Sequence, residues 1–224
     1  MQTEKAENEK RLWAHWGNFL ERFAIPNLHY EVFDEICSRY GEEHRSYHGL
    51  AHPALLLDAL NLVRQHRPKW FAHAEQDLTI ELAIWTHDIV YDPQASDNEK
   101  RSALRAIALA QELGLPKKVG EQAGKLVIAT EHIEAPQGLA AQIVVDLDLS
   151  PLAAPWNVFA QNSLDIRTEY AHLSDDDFKR GRRNFLLGML ERPRIFSTDY
   201  YLQKSEAAAQ ANLKRSPREQ YRSR

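Results

Sequence analysis

Apolar positions return every three or four residues along almost the whole chain, the spacing that lines one face of a 3.6-residue helix. Leu12, Trp13, Trp16, Phe19, Leu20 and Phe23 mark the first such face, and Pro26 closes it. A second helix is predicted near 28–40, with Val32, Phe33 and Ile36 inward and Gly41 as a left-handed stop. A third runs from about 51 to 66, with Pro53 harmless in its first turn and Pro68 ending it. Further periodic segments cover about 77–89, 98–113, 117–132, 138–147, 156–173, 175–190 and 199–213, with Asp97, Ser174 and Thr198 as N-caps for three of them. The β-branched run in 142–145 is too short to tell a strand from a buried helical turn. The pattern predicts an all-α bundle of about ten helices with a helical C-terminal extension. It assigns 1–215 to one domain and 216–224 to a basic polar tail.

Composition narrows the class. With 224 residues, 43% hydrophobic and 27% charged, the chain has the make-up of an ordinary globular protein rather than a disordered or fibrous one. The richest apolar stretch, 54–63, is broken by Asp58 and Asn61, so no membrane span is expected, and the charged start, 1–11, lacks the apolar core of a signal peptide. A single cysteine, Cys37, fits a reducing cytoplasm. The net charge of −4 gives no general attraction to nucleic acid, although the stretch 214–224 carries five positive charges against one negative. Nothing in these properties fixes an oligomeric state, and a homo-oligomer is compatible with them.

The candidate chemistry lies in histidines and aspartates on apolar faces. His52 shares a helical stripe with Leu56, Ala59 and Val63, which turns its imidazole inward. His87 and Asp88 follow the apolar run 82–85, with Ile84 three and four residues before them. An inward histidine is usually a core residue. An inward aspartate is costly unless it is paired or binds a metal, and here it adjoins an imidazole. Asp146 and Asp148 add two acids directly after Ile143, Val144 and Val145. Three separated segments thus deliver His or Asp to one interior, and a cation would balance them.

The order His52, His87-Asp88, Asp146 on a helical framework resembles the HD-domain superfamily of metal-dependent phosphohydrolases. The surrounding residues strengthen the resemblance: Arg45-Ser-Tyr47-His48 before His52, Tyr91-Asp92-Pro93 after Asp88, Asp97-Asn98-Glu99, Asp146-Leu-Asp148, Ile166-Arg167-Thr-Glu169-Tyr170 and Gly181-Arg182. Together they are similar to a bacterial subgroup described as predicted metal-dependent HD phosphohydrolases, over roughly residues 10–215.

That resemblance implies His52, His87, Asp88 and Asp146 as ligands of one divalent transition metal. Two imidazoles and two carboxylates suit Mn²⁺, Fe²⁺, Co²⁺, Ni²⁺ or Zn²⁺, and a second metal is not favoured. The ion would lower the pKa of its water from about 15.7 toward 7 for attack on a phosphoryl group. Asp148 would orient a ligand, with His132 beside it. Proton transfer would fall to Glu99, with Asp92 as the rival. Asp92 stands where guanosine tetraphosphate hydrolases of this superfamily are also acidic, but Tyr91 replaces their neighbouring Glu. Arg45, Arg167 and Arg182 would hold phosphate oxygens, Tyr47, His48 and Tyr170 would line the cleft, and the substrate would be a small phosphorylated molecule, most naturally a nucleotide. Two alternatives stay open: an HD-scaffold di-iron oxygenase, for which His132 is the one extra histidine between Asp88 and Asp146, and a non-catalytic metal- or nucleotide-binding protein.

Overall fold

A helix apolar on every side has to lie at the centre of a bundle. The computed structural model, which describes residues 2–219, puts Ala74–Thr86 there. The eleven helices are α1 (Gln2–Arg22), α2 (Tyr30–Tyr40), α3 (Ala51–His66), α4 (Ala74–Thr86), α5 (Asn98–Glu112), α6 (Lys117–Ile128), α7 (Leu139–Leu149), α8 (Trp156–Glu169), α9 (Asp175–Glu191), α10 (Asp199–Lys204) and α11 (Glu206–Glu219). Among the described residues there is no strand, so the β-branched run near 142–145 is helical. Every residue of α4 from Asp77 to Thr86 is buried, and the helix packs against α3, α5, α6 and α7. Its two acids are paired from neighbouring helices: Arg64 Nε donates to Asp77 at 2.9 Å and Arg22 to Glu81 at 2.9 Å. Burial nonetheless outweighs these arginines at Glu81 and raises its pKa.

The buried apolar residues form one contiguous cluster. Trp16 of α1 meets Trp85 of α4 edge to face at 5.4 Å and donates its indole N–H to Leu28 O at 2.9 Å. Arg11 and His15 of α1 both reach Asp58 of α3, His15 at 2.7 Å, which joins the first helix to the helix that carries His52. No described helix is long and apolar enough to cross a membrane.

The α5–α6 contact depends on small residues. A Cβ built at Gly120 would stand 2.9 Å from Ala110 Cβ and 3.2 Å from Ile107 Cα, so the two backbones could not stay at their present separation. We expect Gly120→Ala to lower stability by about 1–2 kcal/mol despite alanine's better helix propensity, a fall of roughly 2–8 °C in Tm measured by circular dichroism. An unchanged or higher Tm would show that the helices separate freely.

Several boundaries differ from the sequence expectation. The helix expected over 199–213 is two, broken at Ser205, and the second runs on to Glu219. Part of the tail assigned to 216–224 is therefore helical, and 220–224 lies outside the described residues. Ser174 and Thr198 cap α9 and α10 by accepting from Asp177 N and Tyr201 N, whereas Asp97 precedes α5 without a side-chain cap. Gly41 ends α2 at φ −89°, not left-handed; a Cβ there would meet Cys37 O at 2.7 Å. Most relevant to the site, α4 stops at Thr86, which leaves His87 and Asp88 in the turn at its C-terminal end.

Candidate metal centre

His87 and Asp88 sit where a helix presents unpaired carbonyls, and the structure supplies partners for them. The Arg45 guanidinium, fully enclosed, donates to Asp88 O at 2.5 Å and Ile89 O at 3.1 Å, a cation placed at the negative end of α4. The Asp88 N–H is taken by the Tyr40 hydroxyl at 3.3 Å. His87 Nδ1 donates to Ile84 O at 3.0 Å, which fixes the ring and directs Nε2 into the interior.

Around that nitrogen the donors converge. His87 Nε2 lies 3.0 Å from His52 Nε2, 3.1 Å from Asp88 Oδ2 and 3.7 Å from Asp148 Oδ1. His52 Nε2 lies 3.6 Å from Asp88 Oδ2 and 3.4 Å from Asp148 Oδ1. Two donors at right angles, each about 2.1 Å from an ion, are about 3.0 Å apart, and two at a tetrahedral angle about 3.4 Å, so these separations suit ligands sharing one ion. His52, His87 and Asp148 form a group that could hold a metal ion, with Asp88 against both imidazoles.

The charges agree with that reading. Burial works against protonation of His87, but Asp88 and Asp148 beside it overcome burial and raise its pKa to about 9. Burial pushes His52 down, helped by the His87 cation. Despite their burial, the facing imidazoles hold Asp88 and Asp148 below the usual carboxylate range. Two carboxylates thus face one protonated and one neutral ring, and the remaining charge is negative. A cation is the complementary occupant.

The structure places Asp148, and not Asp146, beside the two histidines. Asp146 was expected to bind the metal, yet its Oδ1 accepts from Ser197 N at 2.7 Å and its Oδ2 from Thr198 N at 2.7 Å and Thr198 Oγ1 at 2.6 Å. It is a fully enclosed clasp for the start of α10. The reason is helical rotation. Residues two apart on α7 point about 200° away from each other, so only one can face His52 and His87. Asp148 does, and its other oxygen accepts from His132 Nε2 at 2.8 Å. His132 holds this position in the left-handed conformation, φ 56°.

From the cluster a cavity of about 660 Å³ opens toward α8 and α9. Tyr47, His48, Asp88, Glu99, Tyr170 and Arg182 of the expected site residues line it, as do His132 and Asp148. Three do not. Arg45 is spent on the backbone carbonyls of residues 88 and 89. Arg167 donates to Tyr170 O at 2.7 Å, Leu173 O at 3.1 Å and Asp175 at 2.8 Å, so it ties α8 to α9 outside the cavity lining. Asp92 lies exposed, its carboxylate accepting from Gln94 N at 2.9 Å, while Asn98 bonds both its backbone groups. Because α4 has already ended at Thr86, Asp92 does not stand one helical turn beyond Asp88. Glu99 is half-buried in the cavity, and burial, reinforced by the charges of Asp88 and Glu131, raises its pKa.

One residue without an expected role is central. Glu169, buried at the end of α8, accepts from Tyr47 N at 2.7 Å, His48 N at 2.8 Å, His48 Nδ1 at 2.7 Å and Tyr91 Oη at 2.8 Å. These donors, His48 foremost, hold its pKa low in spite of burial, and Glu169 in turn raises that of His48 against the burial of the ring. The signal in the sequence was an acid beside Tyr170 on a helix with an apolar face, which periodicity alone reads as surface. Comparisons of the chain with protein-family models, with curated proteins and with solved structures gave no match.

Proposed function

We propose that the protein is a metal-dependent phosphohydrolase that cleaves a phosphate ester or anhydride of a small molecule such as a nucleotide. The observation that carries this reading is the convergence of His52, His87, Asp88 and Asp148 at the inner end of a cavity that also holds Glu99, His48 and Arg182. A divalent ion bound there supplies an acidified water and positive charge for a phosphoryl oxygen. The protein's own groups do the rest. His52 and, once a bound ion displaces its Nε2 proton, His87, fixed through Nδ1, would present nitrogens to the ion, and the two aspartates contribute negative charge. Arg182 offers a planar guanidinium to phosphate oxygens, and His48, its Nδ1 committed to Glu169, keeps Nε2 for the cavity. Glu99, whose carboxyl keeps its proton to higher pH than usual, exchanges a proton with the attacking water or the leaving oxygen.

Phosphate release measured on protein reconstituted with Mn²⁺ or Zn²⁺, before and after chelation, tests the reading. Turnover that survives complete metal removal, or metal-loaded protein inert toward a broad panel of phosphate esters and anhydrides, would refute it. Within the reading, Glu99→Gln should lower kcat by at least about a hundredfold with metal content unchanged, and Asp92→Asn by less than about threefold. A larger loss for Asp92→Asn at full metal content would reverse the roles of these two acids.

A further inference from the structure

The charge along the cavity wall says more about the substrate than the metal cluster does. Five acids line it, Asp88, Glu99, Glu131, Asp148 and Asp177, the last paired with Arg180, against two fixed cations, Lys100 and Arg182. A bound divalent ion would balance Asp88 and Asp148 at the cluster, where one phosphoryl group has its place. A di- or triphosphate would have to run its further charges past Glu99 and Glu131, and like charges brought together in a partly dry site are strongly unfavourable. The wall away from the cluster is of another kind. Leu152, Ile166, Leu173, Phe178 and Phe185 face the cavity, and Tyr170 stands 6.1 Å from Phe178, ring to ring. Aromatic rings in such a wall favour a flat apolar group. A volume of about 660 Å³ admits a molecule the size of a nucleoside monophosphate.

Resting on the phosphohydrolase reading, we infer that the substrate is a monophosphate ester with a single phosphoryl group on an aromatic-bearing alcohol, the phosphate at the cluster and the ring against the wall of Tyr170, Phe178 and Phe185, and that polyphosphates are rejected. Its hydrolysis transfers the phosphoryl group to water: the water oxygen bonds to phosphorus, the P–O bond to the alcohol breaks, and the alcohol oxygen takes up a proton. Nothing else is consumed.

Binding separates this inference from turnover. The full chain, loaded with Mn²⁺, is titrated calorimetrically with methylphosphonate, phenylphosphonate, adenosine monophosphate and adenosine triphosphate, and its manganese content is measured before and after. Phenylphosphonate should bind at least about tenfold more tightly than methylphosphonate, because only it covers the apolar wall. The monophosphate should bind at least about tenfold more tightly than the triphosphate. Phe185→Ala, at a half-exposed position, should bring the phenyl-to-methyl ratio below about threefold. Glu131→Gln should narrow the gap between mono- and triphosphate. Equal affinity for the two phosphonates, or tighter binding of the triphosphate at unchanged manganese content, overturns the inference. The expected ranking without release of phosphate from any monoester overturns the hydrolase reading and leaves the ligand class standing. No binding of any of the four to the loaded protein overturns both.

Discussion

Asp148→Ala should weaken metal binding by more than about a hundredfold and remove metal-dependent turnover, whereas Asp146→Asn should keep the metal and lose stability. The first change takes away the only carboxylate that faces both His52 and His87 from α7 and frees His132 from its partner. It also leaves His87 and His132 without a buried partner, so a fall in Tm should accompany the loss of metal. The second change leaves the cluster untouched. It puts an amide NH₂ where Asp146 now receives two backbone N–H groups and a hydroxyl, and at least one buried donor loses its acceptor. A cost of about 2–3 kcal/mol follows, roughly 4–12 °C in Tm for a chain of this size. Metal content by mass spectrometry and thermal unfolding of the two variants decide the matter. A metal-free Asp146→Asn protein beside a metal-replete Asp148→Ala protein would restore the assignment that the sequence suggested.

The next largest effect is expected at Glu169. Four donors end on this carboxylate, from the 47–48 segment and from Tyr91, and Tyr47 and His48 line the cavity. Glu169→Ala leaves them buried without an acceptor and should cost about 3–5 kcal/mol, enough to lower Tm by roughly 6–20 °C. Glu169→Gln keeps one carbonyl oxygen for the two backbone N–H groups but turns an NH₂ toward the His48 and Tyr91 donors. It should unfold a few degrees below the parent and, at a temperature where it is fully folded, turn over at least about tenfold more slowly through a higher KM as well as a lower kcat. A Gln variant with parental kinetics would confine Glu169 to folding.

The bundle was legible because helical periodicity survives without knowledge of partners: the segments led by Ala51 and Asn98 fold as helices near their expected bounds, and the one marked from Leu12 is helical from Gln2. The paired His87 and Asp88 were legible for a related reason, since an acid after a wholly apolar helix has little other purpose. What the sequence could not supply was the phase of α7. Its buried residues, Ala141, Ile143 to Leu147 and Leu149, run right around the helix, so no polar face told which of Asp146 and Asp148 turned toward the histidines. Arg45 and Glu169 escaped for another reason. Their partners lie 43 and 44, and 78 to 122, residues away, and a guanidinium buried on two carbonyls has the same sequence as one that awaits a phosphate.

The clasp at Asp146 also bears on the order in which the molecule is assembled. All the proposed ligands are encoded by residue 148, but the carboxylate two positions earlier meets its donors only at residues 197 and 198, 51 and 52 positions later. The last quarter of the chain thus supplies the donors that hold Asp146 away from the histidines.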